Sequence, residues 1–191
     1  MAHILGPIIR IQVQRNPLKT EETGYDPGPI LAVEEGVIGP PGLVGRHEGS
    51  WILDAHHAGH PASRAGGRRP LSIGFTEHYG RIANRFGRAP VGCAGENLIV
   101  ETDRPVALDD LAHGVVLVTP EGEYPLGGAR VAAPCREFTS FLLGRSDVAP
   151  RDEIAEHLDF LDHGTRGFIL DLAPLEGSHR VRVGDVIGLT A

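Results

Sequence analysis

Glycine and proline recur from one end of this chain to the other, 26 of the first and 15 of the second among 191 residues, and they follow no period. They read as turns between many short strands rather than as low complexity, and they point to a mainly β architecture. The apolar pattern agrees. Residues Ile9 to Gln14 alternate apolar and polar, the signature of a half-buried strand, and Asn16-Pro17 ends it. Further strands are predicted at Ser50–Leu53, Leu98–Glu101, Val115–Thr119 and Ala129–Ala132. The stretch from Thr20 to Gly49 reads as loop of low regular content, with one short strand at Ile30–Val33 between its Pro-Gly clusters. Pro120 to Gly128 reads as a long hairpin tip, and Gly167–Leu172 with Arg180–Ile187 as a closing hairpin.

Helices are fewer. Phe75, Tyr79, Ile82 and Phe86 recur at spacings of four, three and four, one helical face within Leu71–Arg88, with Thr76 as its cap. A short helix is expected from Cys135 to Leu143, and another from Pro150 to Gly164, with Ile154, His157, Leu158 and Leu161 on one face. No repeat and no linker divides the chain, so residues 1–191 are expected to form one domain.

Composition excludes several classes. Apolar residues at 41% and charged residues at 23% are ordinary for a globular chain. No apolar run approaches the roughly 20 residues that span a bilayer, and the start lacks the pattern of a signal peptide, which implies no membrane and a cytoplasmic location. A formal charge of −7 argues against a nucleic-acid partner. Two cysteines, Cys93 and Cys135, do not make a disulfide framework and are expected to be free thiols.

Three segments in order carry a family resemblance: Gly95-Glu96-Asn97-Leu98, then Ala133-Pro134-Cys135, then Arg166-Gly167-Phe168 with Val183-Gly184-Asp185-Val186. Together they resemble the MOSC domain, named for the C-terminal domain of molybdenum cofactor sulfurase, over about residues 50–189. Arg69-Pro70-Leu71-Ser72 resembles a further family position. The resemblance implies a closed or nearly closed β-barrel with a few peripheral α-helices. It also implies binding of the molybdenum cofactor (molybdopterin), and either reduction of N-hydroxylated compounds or carriage of sulfur as a persulfide. Pyridoxal phosphate, often attached to the family, belongs to a separate domain of the sulfurases. The chain departs from the pattern at Cys93, where many relatives place an aromatic residue, and in the long Gly-rich region from Val118 to Val131.

Within that resemblance Cys135 is the catalytic candidate and the molybdenum ligand. Its expected place between a strand and a helix N-terminus favours the thiolate that metal ligation or persulfide transfer requires. Arg69 is the first candidate for a pterin phosphate, with Arg136 beside the cysteine; Arg64 and Arg68 read equally well as solvated loop residues. Glu96 and Asn97 enter a strand, where they either face a heterocycle at the barrel mouth or satisfy local backbone. Asp54 and His57 are second-rank cofactor residues from the Asp54-Ala55-His56-His57-Ala58-Gly59-His60 cluster, and His56 and His60 read as exposed. Cys93 either fills space beside Gly92 or pairs with Cys135.

The leading expectation is a molybdenum-dependent oxidoreductase module served by a separate electron-transfer reductase, since no on-board dinucleotide loop or ferredoxin pattern is present. The alternatives are a non-redox sulfur carrier charged on Cys135 by a cysteine desulfurase, a non-catalytic small-anion binding module, and a hydrolase with metal at Asp54, His57 and His60.

Overall fold

The computed structural model describes residues 3–20, 24–63 and 69–190. The Arg64 and Arg68 positions therefore lie outside the described residues. In chain order the strands are β1 (His3–Gln14), β2 (Lys19–Thr20), β3 (Gly24–Tyr25), β4 (Ile30–Val33), β5 (Glu35–Gly39), β6 (Gly42–His47), β7 (Ser50–Leu53) and β8 (Leu71–Phe75). Helix α1 (Thr76–Phe86) follows, then β9 (Leu98–Val100), a 3-10 turn at Asp109–Leu111, β10 (Val115–Thr119), β11 (Gly122–Gly127) and β12 (Ala129–Val131). Helices α2 (Arg136–Leu142) and α3 (Ala155–Leu161) precede β13 (Phe168–Leu170), β14 (His179–Arg182) and β15 (Val186–Leu189).

Nine strands make one sheet in the order β11-β10-β15-β1-β9-β8-β13-β12, with β4 also on β1. Its two ends are consecutive in the chain, joined through Gly128. Backbone bonds from Asp171 N–H to Gly128 O and from Leu172 N–H to Leu126 O draw them together, so the sheet curls into a nearly closed barrel. Ile8, Ile11, Val13, Ile73, Phe75, Leu98, Leu117, Phe168 and Ile187 fill it. Among the described residues the fold is mainly β with three α-helices, the class that the resemblance implies.

β9 explains how the helices attach. Its Leu98-Ile99-Val100 is apolar throughout and wholly buried, because Leu98 and Val100 face the barrel while Ile99 faces a second cluster with Tyr25, Tyr79, Ile82, Phe138, Leu142 and Leu161. β8 and β9 run parallel, the one parallel pairing among the described strands, and α1 with the Gly95-Glu96-Asn97 segment forms their crossover.

Several expectations are corrected. The stretch expected to be loop holds strands between residues 24 and 49: β5 and β6 form a hairpin whose turn is Pro40-Pro41, inside a four-stranded sheet β14-β5-β6-β7. Glycines at 36, 39, 42 and 45 hid those strands from a propensity reading. The C-terminal segments are not a hairpin with each other. β13 pairs with β8 and β12, while a turn at Gly184, with φ of 99°, splits the last stretch into β14 on β5 and β15 on β1 and β10. The tip expected over Pro120–Gly128 is a two-residue turn, Pro120-Glu121, followed by β11 and the linking Gly128. Thr76 begins α1 without capping it and donates instead to Thr102 O at 3.2 Å. The third helix is shorter than expected, since residues 151–154 are turns.

Candidate functional site

The alternation of β1 places Ile11 and Val13 in the barrel and Gln12 and Gln14 on the opposite side, yet both glutamines are buried. Their partners account for it. Gln12 Nε2 donates to Gly92 O at 2.7 Å and Gln14 Nε2 to Gly95 O at 2.6 Å, so the two amides hold the 92–97 loop against the sheet. Gly92 and Gly95 have φ of 88° and 85°, a left-handed conformation open to glycine, and a Cβ at either would collide with those amides.

That loop delivers Glu96 and Asn97 inward. The Asn97 amide is fully occupied: its Oδ1 accepts from Ser72 N–H and Ser72 Oγ, both at 3.0 Å, and its Nδ2 donates to Asp54 Oδ2 at 3.0 Å and to Gln12 O at 3.3 Å. No donor or acceptor is left for a ligand. Glu96 lies in a slot opened by Gly74 and Gly167 and accepts from Tyr79 Oη at 2.5 Å. Burial raises its carboxyl above the ordinary range, with the Tyr79 bond and Arg166 opposing.

Asp54 is wholly buried at the end of β7. Its Oδ2 accepts from Gln14 N–H at 2.7 Å and from Asn97, and its Oδ1 from His56 N–H at 2.9 Å, with the His56 ring Nδ1 at 3.1 Å. Of these groups Gln14 and His56 line a recess of about 50 Å³, together with Arg69, Ser72, Glu96 and Arg166 among others. A second recess of about 200 Å³, lined also by Lys19 and Tyr25, shares Gln14, His56, Arg69, Ala94 and Arg166 with it, so the two form one cleft.

The cleft is cationic on one side. Arg166 donates from Nη1 to Ala133 O at 2.8 Å and lies over the Phe138 ring, while its Nε is buried without a partner. Burial and the guanidinium groups of Arg166 and Arg130 lower Arg69, and the Cys135 sulfur counters them, which places all four in one electrostatic neighbourhood. Cys135 is free, half-buried and extended, immediately before α2.

Some sequence candidates stand elsewhere. Arg136 is exposed and donates to Ala149 O at 3.0 Å, pinning the loop after α2. His57 and His60 do not line the cleft; each spends its Nδ1 on a backbone N–H, of Gly59 and Ala62 respectively, both at 3.0 Å. No group of three or more His, Cys, Asp and Glu suited to a metal occurs among the described residues. Cys93 is free and buried, its thiol pushed up to about 12, chiefly by burial. The β10–β11 hairpin contributes nothing to the lining. In turn the sequence reading overlooked Gln14, Tyr79 and, as a site residue, Arg166, and set His56 aside as exposed. Only Arg166 left a signal, its place beside Gly167.

No protein-family model matches the chain, and no curated protein matches it by sequence. The fold is a known one. It is similar to that of the YuaD protein from Bacillus subtilis, with a TM-score of 0.53 at 16% identity over 95% of this chain and 93% of that one. It is similar also to YiiM from Escherichia coli, with 0.51 at 17% over 97% and 70%, and to YiiM from Geobacillus stearothermophilus, with 0.50 at 16% over 97% and 75%. At such identity the likeness is one of fold. No described helix is long and apolar enough to cross a membrane.

Proposed function

We propose that this chain is a MOSC-type protein whose cleft receives a molybdenum cofactor, with Cys135 as the sulfur ligand and Arg69 and Arg166 on the cofactor's anionic group. The observation that carries the reading is the pair Arg69 and Arg166 lining one cleft, with the free thiol of Cys135 within electrostatic reach of Arg69. Like charges facing one cleft repel, and a bound anion relieves the repulsion. The buried Nε of Arg166 adds a donor whose partner an anion supplies. The ordered motifs around Glu96, Cys135 and Arg166, set in a nearly closed barrel, support the family assignment.

The residues suit the group: a soft thiolate for molybdenum, and planar guanidinium donors for phosphate. When bound, the cofactor supplies two-electron redox chemistry at its metal. The chain's own contribution is to bind and orient it. Arg69 and Arg166 hold the anion, Tyr25 and Ala94 wall the cleft, and Asn97 with Gln14 keeps the loop beneath it rigid. The reaction class is reduction of a small N-hydroxylated compound, in which R₂N–OH with two electrons and two protons gives R₂NH and water, the electrons coming from a separate reductase.

The test is elemental analysis of protein expressed with molybdate, wild type against Cys135→Ala, with fluorescent pterin oxidation products scored in parallel. Molybdenum and pterin in the wild type, with metal lost from the variant, is the expected result. Neither component in either protein overturns the reading. Sulfur carriage then takes its place, marked by cyanide-releasable sulfur on Cys135 after treatment with a cysteine desulfurase.

A further inference from the structure

The Asp54–His56 pair has no part in the reading above, yet its ring faces the same cleft. Three N–H groups besides the ring converge on the Asp54 carboxylate, two of them on Oδ2 and one on Oδ1, and the side chain has no exposed surface. A carboxylate held as an acceptor in this way requires a donor at the ring nitrogen 3.1 Å from its Oδ1. His56 Nδ1 therefore carries the proton, and the basic lone pair falls on Nε2, across the ring. Unlike Asp54, the His56 side chain is 30% exposed, and it lines both recesses. The charged and titratable groups around it are Arg69, Arg166, Lys19, Glu96 and Tyr25 from the facing segments and Asp54 from its own.

We propose that His56 is the proton-exchanging residue of this cleft, oriented by Asp54 so that Nε2 serves an anionic molecule held beside Arg69 and Arg166. The inference rests on the anion-binding reading of the cleft. In the step, the Nε2–H bond of the imidazolium breaks and its electron pair stays on nitrogen, while an O–H bond forms on an oxygen of the bound molecule. The ring regains its proton from solvent at its exposed edge. Asp54 touches no ligand in this scheme; it is a positioning residue, like the carboxylates that set the tautomer of metal-binding or catalytic histidines.

The experiment uses the whole chain labelled with ¹⁵N, with His56 ring signals assigned by their loss in His56→Gln, and sodium sulfate as probe because it does not titrate near neutrality. In its neutral form the wild-type His56 ring is expected to show the Nδ1–H tautomer alone. Sulfate is expected to raise the titration midpoint of His56 by about one unit, so that by reciprocity it binds the protonated protein about tenfold more tightly. His56→Gln should still bind sulfate but lose that pH dependence. An Nε2–H tautomer overturns the proposal, and so does a midpoint that sulfate leaves in place, which is what a purely structural histidine would show. Arg69→Gln separates the two readings: if it leaves sulfate affinity unchanged, the arginine cleft is not the anion site and the functional reading falls, while the tautomer is read without any ligand.

Discussion

Replacing Asn97 by alanine separates a scaffold residue from a ligand-binding one. The side chain is 1% exposed and makes four hydrogen bonds. Alanine leaves Ser72 N–H without its side-chain acceptor, at a cost of about 1–3 kcal/mol, and takes from the buried Asp54 carboxylate a charge-assisted bond of about 1.5–3 kcal/mol. Ser72 Oγ keeps a bond to Asn97 N–H, so the sum is held near 3–5 kcal/mol. Against a total stability of about 5–15 kcal/mol, that is a large fraction. In urea, with a slope near 2 kcal/mol/M for a chain of this size, the midpoint should fall by about 1.5–2.5 M. A loss below about 1 kcal/mol would refute the argument and return Asn97 to the list of ligand-binding residues.

Three more outcomes are expected. His78 is buried between Phe75 and Phe168, its Nε2 accepts from Val106 N–H, and burial lowers its pKa from 6.5 to about 4. The unfolded chain binds this proton at higher pH than the folded one, so the contribution is whole above about 6.5 and is lost as pH falls towards 4, on the order of 3 kcal/mol. His78→Gln keeps an acceptor for Val106, and its stability measured between those pH values should fall less steeply; equal slopes would refute the assignment. Gly167→Ala forces a Cβ to within 2.6 Å of Ile73 O at a φ of 108°, and calorimetry should record a destabilisation of about 2 kcal/mol or more. Iodoacetamide followed by mass spectrometry should modify Cys135 and spare Cys93, whose buried thiol stays protonated; label on Cys93 in the folded protein counts against that packing.

What the sequence made legible was periodic or bulky. α1 showed itself through Phe75, Tyr79, Ile82 and Phe86, and β1 and β10 through alternation or β-branched runs. β5 and β6 were hidden because glycine carries no side-chain signal, and their strand character comes from pairing across the sheet. The fates of β13, β14 and β15 depend on distant partners that local pattern does not encode. Within the cleft, Asp54 and Arg69 were found, but His56 and His57 are neighbours of the same type. Only the burial of Asp54 at the end of β7 decides which ring turns to the cleft. Asn97 was ambiguous for the opposite reason. Its residue type suits a ligand or a clamp equally, and only the count of filled bonds separates the two.

The pairing of β1 with β15 also sets an order of events during synthesis. The half of β1 nearest Gln14 finds β4 and β9 before the chain beyond residue 100 is made, and Ile11 and Val13 are covered early. The half that runs from His3 to Pro7 is matched by Val186–Leu189, which is made about 180 residues later. At about 5–20 residues per second, that leaves one seam of the barrel open for about ten seconds or more. During that interval β10, whose partner on one side is also β15, presents an unpaired edge to whatever else the cell offers.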